Sequence, residues 1–254
     1  MGKLYGLIGY PLDHSWSKKY FEKKFESEGL NGFNYKLFPV HLSKDLILLV
    51  QNNPGLAGLN VTIPHKQTVI KYLNVIEASA SEIGAVNCIR IVRVDNEITM
   101  MGYNTDTYGF EMAIKPLLMP HHSRALILGT GGSANAVAWV LKKLGIEFMF
   151  VSRRPYDCNQ VSYNFLSTEN IKAFPLIINA TPVGMYPNIS FVPQMAYEAL
   201  TSDHLLFDLI YNPTESGFLM SGKKYGAQIS NGLSMLEFQA EKSWEIWEPN
   251  LDHK

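Results

Sequence analysis

Leu126-Ile127-Leu128-Gly129-Thr130-Gly131-Gly132-Ser133-Ala134 carries a G-x-G-x-x-A glycine pattern between two predicted elements. A β-strand is predicted over residues 124–128, a helix over 132–144 and a second strand over 147–152. In dinucleotide-binding folds the small residues allow a tight turn, a close approach to pyrophosphate and tight packing of the helix on the strand. The free N–H groups at the start of the helix bind the phosphates. The pattern alone fits an ordinary strand-to-helix turn equally well, but its place between these elements favours a nucleotide-binding loop.

The residues after the second strand indicate which nucleotide binds. Ser152-Arg153-Arg154 stands where an NAD-binding protein usually has an acidic residue for the ribose 2′-hydroxyl. A guanidinium group has a rigid fork of donors that suits a phosphate. Two solvated surface arginines would be the simpler interpretation elsewhere in the chain. Directly after this strand they favour the 2′-phosphate of NADP.

Predicted strands and helices alternate on both sides of the glycine loop. On the N-terminal side, strands are predicted over residues 4–10, 33–40, 56–63, 85–94 and 98–103, the last two joined at Asp95-Asn96. Helices are predicted there over residues 18–28, with Ser17 as N-cap, and 43–52. On the C-terminal side of residue 103, helices are predicted over residues 105–118, 215–225 and 235–247, and further strands over 176–180, 205–210 and 227–230. Residues 156–169 fit neither period.

This alternation predicts an α/β protein of two domains with a cleft between them. The substrate-binding domain, with a mostly parallel sheet, is predicted to comprise residues 1–103 plus 233–254. The Rossmann-like nucleotide-binding domain is predicted over residues 104–232, with hinges near Asn104 and Gly232.

The composition is that of an ordinary globular protein. Of 254 residues, 46% are apolar and 18% charged, and 22 basic against 23 acidic side chains leave a formal charge of −1. This balance excludes the clustered basic field that a nucleic-acid backbone requires. Cys88 and Cys158 have no metal-ligand spacing, so neither a metal site nor a disulfide framework is expected. We expect no signal peptide and no membrane span, and therefore a cytoplasmic protein.

Two polar residues follow predicted strands where catalytic groups are often found. Lys66 comes after a buried strand and Pro64, at the predicted start of a helix, which is an unfavourable place for a cation. On that segment alone a solvated lysine is the simpler interpretation. Asp106 lies where a strand gives way to a helix, and its ordinary role there is helix capping.

Together these segments resemble the ordered motifs of the shikimate dehydrogenase family over nearly the whole chain. The matching segments are Gly9-Tyr10-Pro11, His14-Ser15-Trp16-Ser17, Asn60 to Lys66, Gly84-Ala85-Val86-Asn87, Asn104-Thr105-Asp106, Gly129 to Ala134, Ile178 to Met185, Asp208 to Thr214, and Gly232 to Leu236 with Gln239.

The resemblance implies reversible oxidation of shikimate to 3-dehydroshikimate with NADP, in chorismate and aromatic amino-acid biosynthesis. It implies that Lys66 and Asp106 are the catalytic pair. Ser15 and Ser17 would hold the substrate carboxylate, and the ring hydroxyls would be bound by Thr62, Asn87, Asp106 and Gln239, with Asn60 and Tyr211 close by. The cofactor phosphates would be bound by Gly129, Thr130, Gly131, Gly132, Ser133, Ser152, Arg153 and Arg154. Nearer the nicotinamide would be Ala180, Leu209 and Gly232.

These residue types suit the implied chemistry. Oxidation of a secondary alcohol needs a hydride acceptor, which the cofactor supplies, and a proton acceptor at the oxygen. A lysine beside a carboxylate can donate hydrogen bonds to a developing alkoxide and relay its proton. The sequence leaves open which of Lys66 and Asp106 formally transfers the proton.

Departures from the family motifs leave alternatives open. Lys18 stands where the family often has proline, and Cys88 where threonine is usual. Asp157 stands near a position that is often basic, so the strictness of NADP over NAD is open. The first alternative is a quinate or dual-specificity dehydrogenase that uses NAD. The second is a non-catalytic NADPH-sensing module, which the joint presence of the implied catalytic and substrate residues disfavours. Monomer and homodimer are both compatible with the sequence.

Overall fold

The chain forms two compact α/β units, and the predicted fold class is confirmed. The computed structural model describes residues 2–12, 15–95 and 97–251. His14 of the family motif and Asn96 of the predicted turn lie outside them. Among the described helices, none combines the length and apolarity needed to cross a membrane.

The boundaries between the two units differ from the predicted domain limits. Unit 1 comprises Met1–Thr105 and Ala240–Lys254, and unit 2 comprises Asp106–Gln239. The second change of unit therefore falls inside a continuous C-terminal helix rather than in the loop before it.

The sheet of unit 1 brings several strand ends to one edge. Its strands are β1 (Leu4–Gly9), β2 (Asn34–Pro39), β3 (Leu56–Val61), β4 (Val75–Ile76), β5 (Cys88–Val94) and β6 (Glu97–Tyr103), in the order β2-β1-β3-β5-β6-β4. β1 pairs in parallel with β2 and β3, and β4 with β6. β5 is antiparallel to both β3 and β6, with Cys88 opposite Asn60 and Tyr103. The ends of β3 and β6 and the start of β5 therefore share an edge.

Short helices complete unit 1. They are α1 (Trp16–Ser27), α2 (Leu46–Asn52), α3 (Ala78–Ile83) and two 3-10 segments, Ser43–Asp45 and Val69–Tyr72. An aromatic core lies between α1, the sheet and the C-terminal helix, and includes Tyr5, Phe21, Phe25, Trp244 and Trp247.

Unit 2 has the strand order of a doubly wound nucleotide-binding fold. Its strands are β7 (Arg124–Leu128), β8 (Glu147–Val151), β9 (Gln160–Val161), β10 (Leu176–Asn179), β11 (Leu205–Asp208) and β12 (Gln228–Ser230). They form the order β12-β11-β10-β7-β8-β9, and every neighbouring pair is parallel. The order reverses at β7, and ligands of such folds bind beyond the carboxyl ends of the strands at this point.

Helices cover both faces of this sheet. They are α4 (Asp106–Ile114), α5 (Gly132–Lys143), α6 (Thr168–Lys172), α7 (Gly217–Lys224) and α8 (Leu233–Trp247), with 3-10 segments at Lys115–Leu117, Tyr163–Phe165 and Tyr197–Ala199. Alternate residues of β7 enter different cores, Ala125 and Ile127 on one face and Leu126 and Leu128 on the other. This alternation follows from the two-residue period of a strand.

Two local predictions are wrong. Ser17 is not the N-cap of α1, because the helix begins at Trp16 and Ser15 has the extended backbone of an N-cap (φ −67°, ψ 118°). Lys66 does not begin a helix; it lies in a turn before the 3-10 segment Val69–Tyr72. In that turn the backbone N–H of His65 donates to the carbonyl of Thr62, and the N–H of Val69 to that of His65.

The sequence periods also missed short elements. β4 and α3 have only two and six residues, too few to show a period. Residues 156–169 contain β9, a 3-10 segment and the start of α6.

Candidate functional site

The residues implied to bind the cofactor follow the carboxyl ends of five parallel strands in unit 2. Gly129 to Ser133 follow β7 and Ser152 to Arg154 follow β8, while Ala180 follows β10, Leu209 follows β11, and Gly232 follows β12. Parallel strands end at one edge of the sheet, so the structure brings these positions to the same edge of unit 2.

The glycine loop has the shape that a dinucleotide phosphate requires. Gly129 has a φ of +106°, in the region that favours glycine, and a Cβ there would lie 3.2 Å from the carbonyl oxygen of Ala180. Gly131 is the N-cap of α5, and a Cβ there would meet no described atom within 4 Å. The loop therefore leaves open space in front of the N-terminus of a 12-residue helix, which fits a pyrophosphate group.

The segment after β8 places two guanidinium groups in solvent. Arg153 and Arg154 are exposed, and the backbone N–H of Arg154 donates to the Ser152 hydroxyl at 3.2 Å. Burial raises the pKa of Tyr163, and the positive charge of Arg153 opposes that rise. Arg153 therefore lies near Tyr163, in the 3-10 segment that follows β9.

A buried polar cluster that the sequence analysis did not assign lies at the same edge. Asn179 and Asp208 end β10 and β11 and are register partners. The Asn179 amide donates to Asp208 Oδ1 at 3.0 Å, and the Ser216 hydroxyl donates to Asp208 Oδ2 at 2.5 Å. Asn179 and Asp208 each lie in a motif that matches the family. Only the pairing of β10 with β11 shows that their side chains meet.

In unit 1, Ser15 and Ser17 lie at the start of α1. The Ser15 hydroxyl oxygen is buried, and it has no hydrogen-bond partner within residues 2–12, 15–95 and 97–251. Ser17 hydrogen-bonds to Tyr35, whose hydroxyl donates to Asn60 Oδ1 at 2.9 Å. A buried donor without such a partner is a feature expected of an anion or hydroxyl subsite.

Asn60 and Asn87 belong to one buried hydrogen-bond chain. The Asn60 amide donates to the Ser243 hydroxyl at 2.9 Å, and that hydroxyl lies 3.1 Å from Thr105 Oγ1. Asn87 Oδ1 accepts the backbone N–H of Thr105 at 2.6 Å. The chain therefore links the ends of β3 and β6 to the start of β5 and to α8.

Lys66 is held beside this chain through its backbone. Its carbonyl accepts the N–H of Val86 at 2.7 Å, one residue before Asn87, and its side chain is half-buried. Thr62, just beyond β3, is also half-buried and donates its backbone N–H to Ile8. The structure thus brings Thr62, Lys66 and Asn87 to one edge of unit 1.

Asp106, Tyr211 and Gln239 belong to unit 2. Asp106 is buried and is the first residue of α4, where the helix dipole favours a carboxylate. Gln239 is buried and its amide donates to the carbonyl of Leu236 at 3.0 Å. Tyr211 is half-buried. Lys66 and Asp106 thus belong to different units.

His65 is a structural neighbour of Lys66. Its Nε2 donates to the carbonyl of Val40 at 2.6 Å, so its Nδ1 accepts from the Ser43 hydroxyl at 2.8 Å. Both ring nitrogens are used in these contacts, which fix the turn that carries Lys66.

The strand order, the glycine loop and the arginines after β8 define a dinucleotide-binding α/β protein with a second α/β unit. Residues 7–89 match the family model described as the shikimate dehydrogenase substrate binding domain. The chain is 36% identical to the NADP(+) shikimate dehydrogenase of Methanocaldococcus jannaschii over 98% of this chain and 94% of that protein. It belongs to the shikimate dehydrogenase family, and the predicted resemblance is confirmed.

Solved structures share the fold along almost the whole chain. Shikimate 5-dehydrogenase from Thermus thermophilus, in complex with NADP(H) and shikimate, is 28% identical with a TM-score of 0.84, over 98% of this chain and 94% of that one. Quinate dehydrogenase from Corynebacterium glutamicum, in complex with NAD, is 26% identical with a TM-score of 0.83, also over 98% and 94%.

Proposed function

We propose that this chain is an NADP-dependent shikimate dehydrogenase, an oxidoreductase that interconverts shikimate and 3-dehydroshikimate in aromatic amino-acid biosynthesis. The observation that carries the proposal is its similarity, over 98% of its length, to a curated enzyme of that name. The open glycine loop and the guanidinium groups after β8 support the choice of NADP.

In this proposal unit 1 supplies most of the substrate contacts. The Ser15 hydroxyl, buried without a protein partner among the described residues, donates to the substrate carboxylate together with Ser17. Thr62 and Asn87, with Asp106, Tyr211 and Gln239 of unit 2, bind the ring hydroxyls. Asn60 has a supporting role, because its amide is engaged by Tyr35 and Ser243.

Lys66 and Asp106 transfer the proton of the reacting hydroxyl and orient that hydroxyl. In the oxidation direction one of the two, the neutral Lys66 amine or the Asp106 carboxylate, accepts the hydroxyl proton, and in the reduction direction it returns that proton to the oxygen. The other group donates or accepts a hydrogen bond that orients the hydroxyl. When bound, NADP accepts or returns the hydride. The half-buried position of Lys66 and the buried position of Asp106 keep both groups from full solvation.

A spectrophotometric assay tests the function directly. Shikimate and quinate are each offered with NADP and with NAD, and reduction of the nicotinamide is followed. We expect the highest kcat/KM for shikimate with NADP. Preference for quinate with NAD, the pair suggested by the quinate dehydrogenase that shares this fold, would contradict the proposal. NADPH binding without turnover of either acid would favour the sensing module.

We also propose a cytoplasmic location and a monomeric or homodimeric state. Cys88 is buried and Cys158 is exposed, and both are free thiols, which suits a reducing compartment. Sedimentation analysis with and without reductant distinguishes the two oligomeric states from disulfide-linked species.

A further inference from the structure

Asp208 is a buried carboxylate held only by neutral donors among the described residues. It is 0% exposed. Its Oδ1 accepts the backbone N–H of Ile210 and the amide of Asn179, both at 3.0 Å, and its Oδ2 accepts the Ser216 hydroxyl. A purely structural polar contact would cost less with a neutral side chain, because burying a charge is expensive unless it is paired.

The donors to Asp208 come from three consecutive parts of the cofactor edge. Asn179 precedes the loop after β10, and its Oδ1 accepts the hydroxyl and the N–H of Thr181, at 2.6 Å and 3.1 Å. Ile210 lies in the loop after β11, and Ser216 is the N-cap of α7 at the end of that loop. One carboxylate therefore fixes both loops.

The loops that contain Gly232 and Gly129 contact the two loops that Asp208 fixes. The N–H of Gly232 donates to Ile210, and a Cβ on Gly232 would lie 2.2 Å from the carbonyl oxygen of Leu209. On the other side, Gly129 packs against Ala180. A displacement of Asp208 would therefore reach every segment implied to lie near the nicotinamide.

We propose that Asp208 is a positioning residue whose ionised carboxylate holds the loops after β10 and β11 in the shape that binds the nicotinamide end of NADP(H). This inference rests on the proposed function for the identity of the ligand. All three contacts donate to the carboxylate, so the ionised form satisfies them together. Protonation of Oδ2 would place a second donor against the Ser216 hydroxyl.

The charge of Asp208 changes within an accessible pH range. Burial raises the pKa of Asp208 to about 6 from 3.8, and its hydrogen bonds from Ser216, Ile210 and Asn179 oppose that rise. Tyr197 is a titratable group near Asp208: burial raises the pKa of Tyr197 first, and the negative charge of Asp208 raises it further. Tyr197 therefore remains neutral when Asp208 ionises.

Ionisation of Asp208 is expected to favour NADPH binding but to lower the stability of the folded state. Between the unfolded pKa of 3.8 and the folded pKa of about 6, the folded state holds the extra proton. The contribution of Asp208 to stability therefore falls as the pH rises through this window and is constant above it. The ionised group is kept at a cost in stability, which indicates that its charge serves binding.

The test is the dissociation constant of NADPH, measured by fluorescence from about pH 5 to about pH 8 and compared with Asp208→Asn. We expect Asp208→Asn to bind about tenfold more weakly at the upper pH, since a hydrogen bond to a charged group is lost. The difference from the wild type should shrink as the pH falls through about 6. The 2′-phosphate of NADPH also titrates near 6, but it does so equally with every variant.

A second variant gives an independent readout. Ser216→Ala removes a donor that lowers the pKa of Asp208, so the midpoint of the pH dependence should move upward. If Asp208→Asn does not fold, the midpoint measured for Ser216→Ala tests the proposal by itself, and an unchanged midpoint contradicts it. Thr201→Ala is the matched control: Thr201 bonds to His204 just before β11, at the opposite end of the strand from Asp208, and its profile should follow the wild type.

Two results would overturn the inference: equal NADPH affinity in wild type and Asp208→Asn at the upper pH, or a difference that is the same at every pH. Shikimate turnover by the wild type is measured separately. Its absence would overturn the proposed function, while the NADPH profiles would still decide the role of Asp208.

Discussion

The Ser15 hydroxyl is buried and has no hydrogen-bond partner in the part of the chain that the structure describes, and such a group costs a folded protein about 1–3 kcal/mol. Ser15 also occupies the N-cap of α1 without using its side chain as a cap. Neither stability nor helix initiation explains the hydroxyl, and its proposed role is to bind the substrate carboxylate.

Ser15→Ala is expected to raise KM for shikimate about tenfold or more, because a charge-assisted hydrogen bond to a carboxylate is lost. The change should leave kcat within a small factor and should not lower the melting temperature. Steady-state kinetics and thermal unfolding measure both. Ser27→Ala, at the other end of α1, is the control, since its exposed hydroxyl contacts only the carbonyl of Lys24 among the described residues. A lower melting temperature with unchanged KM would show a structural role for Ser15.

Lys66→Ala is expected to lower kcat by about 10²–10⁴-fold, the usual contribution of general acid–base catalysis, and to change KM for shikimate much less. Stopped-flow and steady-state measurements test this. Lys71→Ala, an exposed lysine five positions along the chain, should behave as the wild type. An unaltered kcat in Lys66→Ala would remove Lys66 from the mechanism.

Arg153→Ala is expected to weaken NADP far more than NAD, because only NADP has the phosphate that its guanidinium would bind. Calorimetric titration with both nucleotides measures the difference, and the exposed Lys172 provides a control as Lys172→Ala. Equal losses for the two nucleotides would assign the 2′-phosphate to another group.

At the scale of the element, two glycines of the cofactor edge have opposite surroundings. A Cβ at Gly131 would enter open space, whereas a Cβ at Gly232 would lie 2.2 Å from a backbone oxygen of Leu209. Gly131→Ala is therefore expected to weaken NADPH binding by filling the phosphate space, and to cost no more than about 1 kcal/mol of stability, the usual difference between these residues at an N-cap. Gly232→Ala should lower stability by about 1–3 kcal/mol, as other overpacked positions do. Denaturant unfolding and NADPH titration of both variants test this, and full NADPH affinity in Gly131→Ala would contradict it.

The elements that the sequence predicted well are those with enough residues to show a period and a clear stop. β7 has the predicted bounds because it begins at the polar Arg124 and Gly129 follows it. The turn at Lys66 was mistaken for a helix because the contacts that shape it come from Val40 and Ser43, more than twenty residues earlier. Motif matching predicted a phosphate-binding role for the glycine loop and a substrate-binding role for Ser15 and Ser17. It gave no role to Asp208, because its partner Asn179 is 29 residues away.

At the scale of the whole molecule, α8 contributes to both units. Its first residues, up to Gln239, belong to unit 2, and Ala240 to Trp247 belong to unit 1. In unit 1 the Trp247 ring stacks on Tyr5 at 5.1 Å and its Nε1 donates to the carbonyl of Ile89 at 3.0 Å. Composition alone cannot locate such a change of unit, because the helix has no interruption at Gln239.

Trp247→Ala is expected to destabilise unit 1 by about 3–5 kcal/mol, the usual cost of truncating a buried aromatic side chain. Hydrogen exchange should show lost protection in β1, β3 and α1 while β7, β10 and β11 stay protected. Trp139→Ala, a partly buried tryptophan of unit 2, is the comparison and should leave unit 1 protected. Uniform loss across both sheets in Trp247→Ala would mean that the two units unfold together.

The course of α8 also has a consequence for synthesis on the ribosome. Unit 2 is one uninterrupted stretch of chain, so all of its residues emerge before the last helical turns that unit 1 needs. Domains usually acquire their structure in the order in which they are translated. Here most of unit 1 is translated first, but unit 1 is completed last. The aromatic side chains around Tyr5 and Phe21 stay exposed until Trp244 and Trp247 have been synthesised. Exposed apolar surface of this kind is what makes incompletely folded chains prone to aggregation before folding is complete.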